Sequence, residues 1–367
     1  MDRRIFIKHS LGSIALLQVG SLLPSCSGKE YYTREDFVKA PKVDAHFHYD
    51  IFDDVFVKYA GSVNMHLLTI NVDAGEELDR QLAIGEALKK AHPRLIDFLG
   101  TISIDHFGSG TFAGEAVERV KKCMAAGARG IKIWKNIGMA LRDAEGKYVM
   151  ADHPAFAPVF AYLEAEGIPM AAHLGEPRNC WLPYDRISMG NDLNYYTHHP
   201  EYHMFQHPEA PSYEEQIAAR DHLLERYPRL AFVGAHIGSL EWSLDEVAKR
   251  FDQYPNFNVD LSARLGHVQL QTLQDREKVR DFFIKYQDRI LYGSDVELGE
   301  GDTRPVEKHC RDLYDYWQNH WLFLATGEIL PADKFNTPNP PETIEGLRLP
   351  KTVVDKVFCG NFNRIFG

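Results

Sequence analysis

The segment Val43-Asp44-Ala45-His46-Phe47-His48 closes a short apolar run with two histidines two residues apart. On an extended strand, residues i and i+2 point to the same side, so both imidazoles can reach one ion. Such a pair is weak evidence alone, because the chain has 17 His. Three further residues strengthen it by position. His173 ends the run in Ala-Ala-His-Leu-Gly-Glu, His236 ends the run in Val-Gly-Ala-His-Ile-Gly-Ser, and Asp295 follows the run in Leu-Tyr-Gly-Ser-Asp. If these runs are strands of one closed sheet, all five side chains gather at one rim. Imidazole and carboxylate groups together suit a divalent metal.

The elements that must do this positioning are short apolar runs alternating with helical patterns from residue 41 onward. The runs are Val43–His48, Met65–Val72, Ile96–Ile104, Gly130–Trp134, Ile168–His173, Leu230–His236, Phe257–Leu261 and Ile290–Gly293. Their β-branched, aromatic and small residues suit strands buried on both faces. Between them, Glu77–Ala91, Gly114–Ala126, Phe156–Glu166, Tyr213–Tyr227, Leu244–Tyr254 and Lys278–Tyr286 repeat apolar positions at three and four. The alternation predicts an α/β fold of parallel βα units, and the eight runs fit a (β/α)8 TIM barrel. Two connections, residues 176–212 and 297–342, are long and rich in aromatics, His and Pro. They follow the fifth and eighth runs, on the face where such barrels hold their sites, and are expected to form substrate walls. Lys351–Phe366 reads as a closing helix. A chain of 367 residues could hold two or three domains of roughly 150, but this pattern predicts one catalytic domain over 41–367.

The constellation resembles the amidohydrolase superfamily of metal-dependent barrels, and within it the amidohydrolase-related family of hydrolases, lactonases and non-oxidative decarboxylases. The closing segment Cys359-Gly360-Asn361-Phe362-Asn363-Arg364-Ile365-Phe366 is similar to that family's Gly-Asn-x-x-Arg end. The resemblance implies that His46, His48, His173 and Asp295 hold one divalent ion, with Zn first and Mn or Fe as alternatives. It places His236 beside the water on that ion. Such an ion lowers the pKa of bound water from about 15.7 to about 7. Asp295 could accept the water's proton, and His236 could orient that water or stabilise developing charge. Some superfamily members bridge two metals with a carboxylated Lys on strand four. Here Lys132, in Gly-Ile-Lys-Ile-Trp-Lys, is expected instead to face the substrate or a charge, or to be an ordinary Lys reaching solvent.

Three more residues are candidates for the site. Glu176 lies three residues beyond His173, and His-Leu-Gly-Glu is similar to a motif of the adenosine deaminase branch whose Glu donates a proton. A carboxyl in a dry pocket could hold a raised pKa and act as general acid; the alternative is a loop Glu paired with Arg178. Arg264, after the seventh run, could clamp a substrate carboxylate or sugar oxygen, or make a surface salt bridge. Trp181 is expected to contact substrate from the loop after the fifth run, which also carries Tyr184, Tyr195, Tyr196, His198, His199, His203 and His207. These groups suit flat or polyhydroxylated ligands.

The first 26 residues read as an address. Arg3 and Arg4, with Phe6 and Lys8, resemble a twin-arginine signal, and Leu23-Pro24-Ser25-Cys26 resembles a lipobox whose Cys is acylated after cleavage. Residues 1–25 are thus expected to be removed, Cys26 to carry lipid and 26–40 to be a linker, giving a lipoprotein on the periplasmic or outer side of a bacterial envelope. The whole chain carries a net charge of −11, and losing Asp2, Arg3, Arg4 and Lys8 leaves −13. That balance argues against general nucleic-acid binding and against electrostatic membrane attachment, so a lipid would be the tether. Five Cys make no disulfide scaffold; Cys123, Cys180, Cys310 and Cys359 show no CxxC spacing. The expected activity is hydrolysis of a small-molecule lactone, ester or amide. A decarboxylase of an aromatic or unsaturated acid and a non-catalytic binding lipoprotein are the alternatives. Homo-oligomerisation is left open.

Overall fold

The computed structural model describes residues 30–74 and 77–367; the signal-like segment and Cys26 lie outside them. The compact unit begins at Tyr31, earlier than the expected domain start at residue 41. Phe37 explains the difference. Its ring is fully buried and meets Tyr314 edge-on at 5.3 Å, so the second half of the expected linker is core.

All eight expected strands form: β1 (Lys42–Tyr49), β2 (Met65–Ile70), β3 (Ile96–Thr101), β4 (Ile131–Ile133), β5 (Met170–Ala172), β6 (Phe232–Gly234), β7 (Phe257–Asp260) and β8 (Ile290–Leu291). They pair in parallel in chain order. A short β9 (Val296–Leu298) continues from β8 and pairs in parallel with β1. Just before it, Ala45 N donates to Tyr292 O at 2.9 Å. The sheet therefore returns to β1 through the chain that leaves β8, giving the (β/α)8 TIM barrel. Helices cover its outside; the one over Tyr213–Arg226 starts with a capping box between Ser212 and Glu215.

Two apolar layers hold the barrel. Residues such as Val43, Leu68, Leu99, Ala171, Val233 and Leu291 point inward and pack on Phe362 and Phe366. These two rings belong to the closing helix, which is interrupted by a π turn at Lys356–Gly360. Asn361 Nδ2 donates to Gln287 O and Ile290 O at 2.8 and 2.7 Å, and Arg364 Nη2 to Asn258 Oδ1 at 3.0 Å. The Asn and Arg of the closing motif thus fasten this plug under β7 and β8. The second layer packs the outer strand faces against the helices.

One expected wall reaches the cavity only through Glu297 and Tyr316, and most of it is not loop. Residues 297–342 contain a 20-residue helix, Val306–Ala325, and part of a small hairpin, Ile329–Pro331 with Thr343–Glu345. Leu313, Trp317, Trp321 and Leu324 are buried along one stripe, so the helix is part of the barrel's outer layer. Among the described residues no helix is long and apolar enough to cross a membrane, and the four described Cys are free thiols.

Asp44, fully buried in β1, ties three pieces together. Its Oδ1 accepts Ser294 N at 2.8 Å, and its Oδ2 accepts Trp317 Nε1 at 2.9 Å. Burial pushes this carboxyl up to about 6. Asp44→Ala would remove the acceptor of the buried Ser294, Trp317 and His46 N–H groups, so it should lower the unfolding free energy by about 2–5 kcal/mol. Urea denaturation measures this; a loss under about 0.5 kcal/mol would mean Asp44 does not join β1, β8 and the long helix.

Candidate functional site

A change of parity in β1 builds the site. Val43 and Ala45 point into the barrel, while Phe47 and Tyr49 belong to the outer layer. Strict alternation forbids both. The register against β2 shifts between Asp44 and Phe47, where β1 carries an extra residue. That bulge lets His46 and His48 face the interior above Ala45. Asp295 meets them from the end of β8, with Nε2 of His46 at 3.1 Å and of His48 at 3.4 Å from its Oδ1. Asp295 adopts φ 65°, unfavourable for a non-glycine residue, and its N–H is held by His46 O at 2.8 Å.

Hydrogen bonds at the far side of each ring decide its tautomer. His48 Nδ1 donates to Ile70 O at 3.0 Å. His46 Nδ1 donates to Asp260 Oδ2 at 2.8 Å. Both Nε2 atoms are then lone pairs aimed at a carboxylate. His236 Nδ1 faces Ser262 O at 3.0 Å, which only accepts, so its Nε2 accepts from His173 Nδ1 at 3.1 Å. Among the described residues His173 Nε2 is buried without a hydrogen bond, and it lies 3.5 Å from Glu176 Oε2.

These residues fit a divalent cation. The ligand atoms of His46, His48 and Asp295 lie within 4.8 Å of one another. Acceptors facing acceptors repel unless positive charge lies among them. Lys132 supplies some, with Nζ 3.4 Å from His46 Nε2. Burial and Lys132 push the His46 pKa down, but Asp260 and Asp295 outweigh them and raise it. His173 stands outside this trio, nearer Glu176, with its Nε2 3.5 Å from Glu176 Oε2. A second cluster, His46 with His236 and Asp260, also converges, but its contacts are already hydrogen bonds.

Asp260 and Ser262 are the residues that sequence reasoning missed. Asp260 Oδ1 accepts His236 N at 2.8 Å, Ser262 N at 3.1 Å and Ser262 Oγ at 2.5 Å. Ser262 Oγ also lies 3.0 Å from Nδ1 of both His46 and His236. The end of β7 therefore fixes imidazoles from β1 and β6, and it holds His236 in its left-handed conformation, φ 59°. Against burial, His46, His236 and Lys132 keep Asp260 well below the usual carboxylate range. The available signal was an Asp closing an apolar run at the same rim as the other ligands.

Glu176 differs from expectation. Against the effect of burial, Lys135, His173 and Arg264 hold its pKa well below the usual value. Its Oε1 pairs with Lys135, and Arg264 Nη2 lies 3.8 Å from its Oε2. It is a carboxylate with two cationic neighbours, not a protonated acid, and its partner is not Arg178, whose guanidinium stacks on Trp242. Arg264 is a largely buried cation of the site. Trp181 is not a cavity residue: its Nε1 donates to Pro211 O at 3.0 Å and its ring packs on Tyr213. His236 has both ring nitrogens engaged, and burial holds its pKa far down. It lies 4.0 Å from Asp295 Oδ2.

His46, His48, His173, His236 and Asp295 line a cavity of about 720 Å³ at the C-terminal end of the strands, together with Lys132, Lys135, Glu176 and Arg264. A family model described as Amidohydrolase matches residues 100–367. The chain belongs to the amidohydrolase family. No curated protein matches it. Among solved structures it is similar to an uncharacterised TIM-barrel protein from Bordetella bronchiseptica, at 16% identity over 85% of this chain and 81% of that one, with TM-score 0.45. It is also similar to 2,6-dihydroxybenzoate decarboxylase from Rhizobium, at 16% identity over 89% and 98%, TM-score 0.48. A third is 4-oxalomesaconate hydratase from Rhodopseudomonas palustris, at 10% identity over 85% and 80%, TM-score 0.46.

For this amidohydrolase, Glu176→Gln separates the two roles of that residue. It strips the buried Lys135 of its counterion, so stability should fall by about 3–5 kcal/mol. An unpaired general acid would instead show unchanged unfolding and a lost basic limb in the pH–rate profile.

Proposed function

We propose that this amidohydrolase is a metal-dependent hydrolase that adds water to the carbonyl of a small-molecule lactone, ester or amide. The observation that carries this reading is the meeting of two imidazole lone pairs and a carboxylate at the cavity floor, with both tautomers set from behind. His46, His48 and Asp295 would hold the ion, and the lone pair of His173 is the fourth proposed ligand. Zinc suits the donor set, as do Mn and Fe. A bound divalent ion supplies Lewis acidity, polarising a carbonyl and acidifying water.

The chain's own groups do the rest. Asp295 Oδ2, 4.0 Å from His236 Nδ1 and apart from the contacts with His46 and His48, would take the proton of the attacking water. Lys132, buried and lowered to about 8 mainly by desolvation, faces the oxygen that gains negative charge. Lys135 and Arg264 orient the substrate from the side wall. His236 acts through its neighbours, aligning His173. We also infer from the N-terminal sequence that the protein is exported and lipidated at Cys26, with the acidic mature chain outside the membrane.

Purified chain without the signal should hold about one Zn, Mn or Fe, and His46→Ala and Asp295→Ala should each lose it. Unchanged occupancy in both variants contradicts the ligand set. A chelator should abolish hydrolysis across a screen of lactones, esters and amides; CO2 release from aromatic acids without water uptake would instead establish the lyase.

Localisation is checked separately. In a bacterial host, labelling by a fatty-acid probe should disappear in Cys26→Ala, and persistent labelling rules out that anchor.

A further inference from the structure

The chain turns sharply where it leaves β8, and the long helix Val306–Ala325 grips that turn. Asp295 stands in the left-handed region, which a non-glycine residue keeps only where its neighbours over-determine the backbone. The Ser294 carbonyl and the Asp295 N–H belong to one rigid peptide plane. Bringing φ of Asp295 back to a negative value requires that plane to rotate. Whatever holds the plane therefore holds the turn.

Both ends of the plane are held. Asp295 N donates to His46 O at 2.8 Å. At the other end, Ser294 O accepts Ala263 N at 3.3 Å, from beyond β7, and the Tyr316 hydroxyl at 3.3 Å, from the long helix. Two more residues of that helix steady the same stretch. Trp317 Nε1 binds Asp44 Oδ2, whose Oδ1 accepts Ser294 N. His320 Nδ1 lies 3.1 Å from the Tyr292 hydroxyl. Residues i and i+4 share one side of a helix, and the Tyr316 ring rests on that of His320 with centroids 4.2 Å apart. This stacking aims the Tyr316 hydroxyl at Ser294. Trp317 is fully buried, whereas Tyr316 is 37% exposed and lines the cavity. Its hydroxyl can thus be deleted without opening the core.

We propose that Tyr316 is a positioning residue of the candidate metal centre. Its hydroxyl, through the Ser294 carbonyl, holds Asp295 in the left-handed turn that presents the carboxylate to His46 and His48. The inference rests on the metal-dependent reading for its effect on an ion, but not for its effect on the backbone.

The test compares Tyr316→Phe, which keeps the ring and its contact with His320, with the unaltered chain. Amide hydrogen exchange followed by mass spectrometry reads the peptide plane without any metal. In the metal-free variant, exchange over residues 294–296 should quicken by about three- to ten-fold, the loss of one hydrogen bond, with the unfolding midpoint and exchange in β2 to β4 unchanged. Zinc affinity, measured by competition with a chromophoric chelator, should weaken by about ten-fold or more, as expected when a group that orients a ligand is lost. Tyr314→Phe deletes a hydroxyl of the same helix that meets Gln318 instead, and should alter neither reading.

Wild-type exchange over 294–296 in Tyr316→Phe overturns the proposal. So does faster exchange throughout the barrel with a lowered midpoint, which marks a merely structural role, and so does faster local exchange with unchanged zinc affinity. Faster local exchange in a protein whose unaltered form binds no zinc, Mn or Fe supports the hold on Asp295 and counts against the metal-dependent reading alone.

Discussion

A strand has a period of two, and β1 has to satisfy two incompatible demands. Its first half fills the barrel with Val43 and Ala45; its second half must turn His46 and His48 into the same interior. The extra residue in the register against β2 resolves the conflict. Everything else at the site follows from where that puts the two rings. Asp260 and Ser262 can then reach the back of His46, Ile70 the back of His48, and Asp295 the front of both. Without the phase change the same sequence would bury Phe47 inside and send both histidines into the helical layer.

The barrel was legible because its signal is local. Strands buried on both faces read as short apolar runs, and all eight appear where the runs lie. The ends of those runs also pointed to His46, His48, His173, His236 and Asp295, since parallel strands of a barrel end at one rim. Features that depend on a neighbouring strand were hidden. The β1 bulge is a relation between β1 and β2. Asp260, Ser262 and Lys135 acquire roles only from what the next strands place beside them. Glu176 was visible as a neighbour of His173, but its charge state is set by Lys135 and Arg264, from the ends of β4 and β7. The helix Val306–Ala325 was readable in principle, through Leu313, Trp317, Trp321 and Leu324, but its many polar and aromatic residues resembled a loop.

Charge at the site runs opposite to charge on the whole chain. The protein is strongly acidic, at −11, yet Lys132, Lys135 and Arg264 are gathered with their side chains largely withdrawn from water. Each is balanced nearby. Asp260 and Asp295 counter Lys132, Glu176 lies against Lys135, and Asp192 with Glu176 counters Arg264. Buried ions persist when such pairing offsets their desolvation. The cavity therefore holds fixed charges of both signs, paired with one another, within an acidic protein.

The return of the chain to β1 through β9 has a consequence in time. Asp44 and Ser294, which neighbour His46 and Asp295 in sequence, are 250 residues apart. A growing polypeptide carries His46 and His48 long before their carboxylate partner Asp295 and the plug beneath them are made. N-terminal units can fold as they leave the ribosome, yet here no partial chain contains the cavity floor. The candidate ion site can come together only after Asp295 has been made.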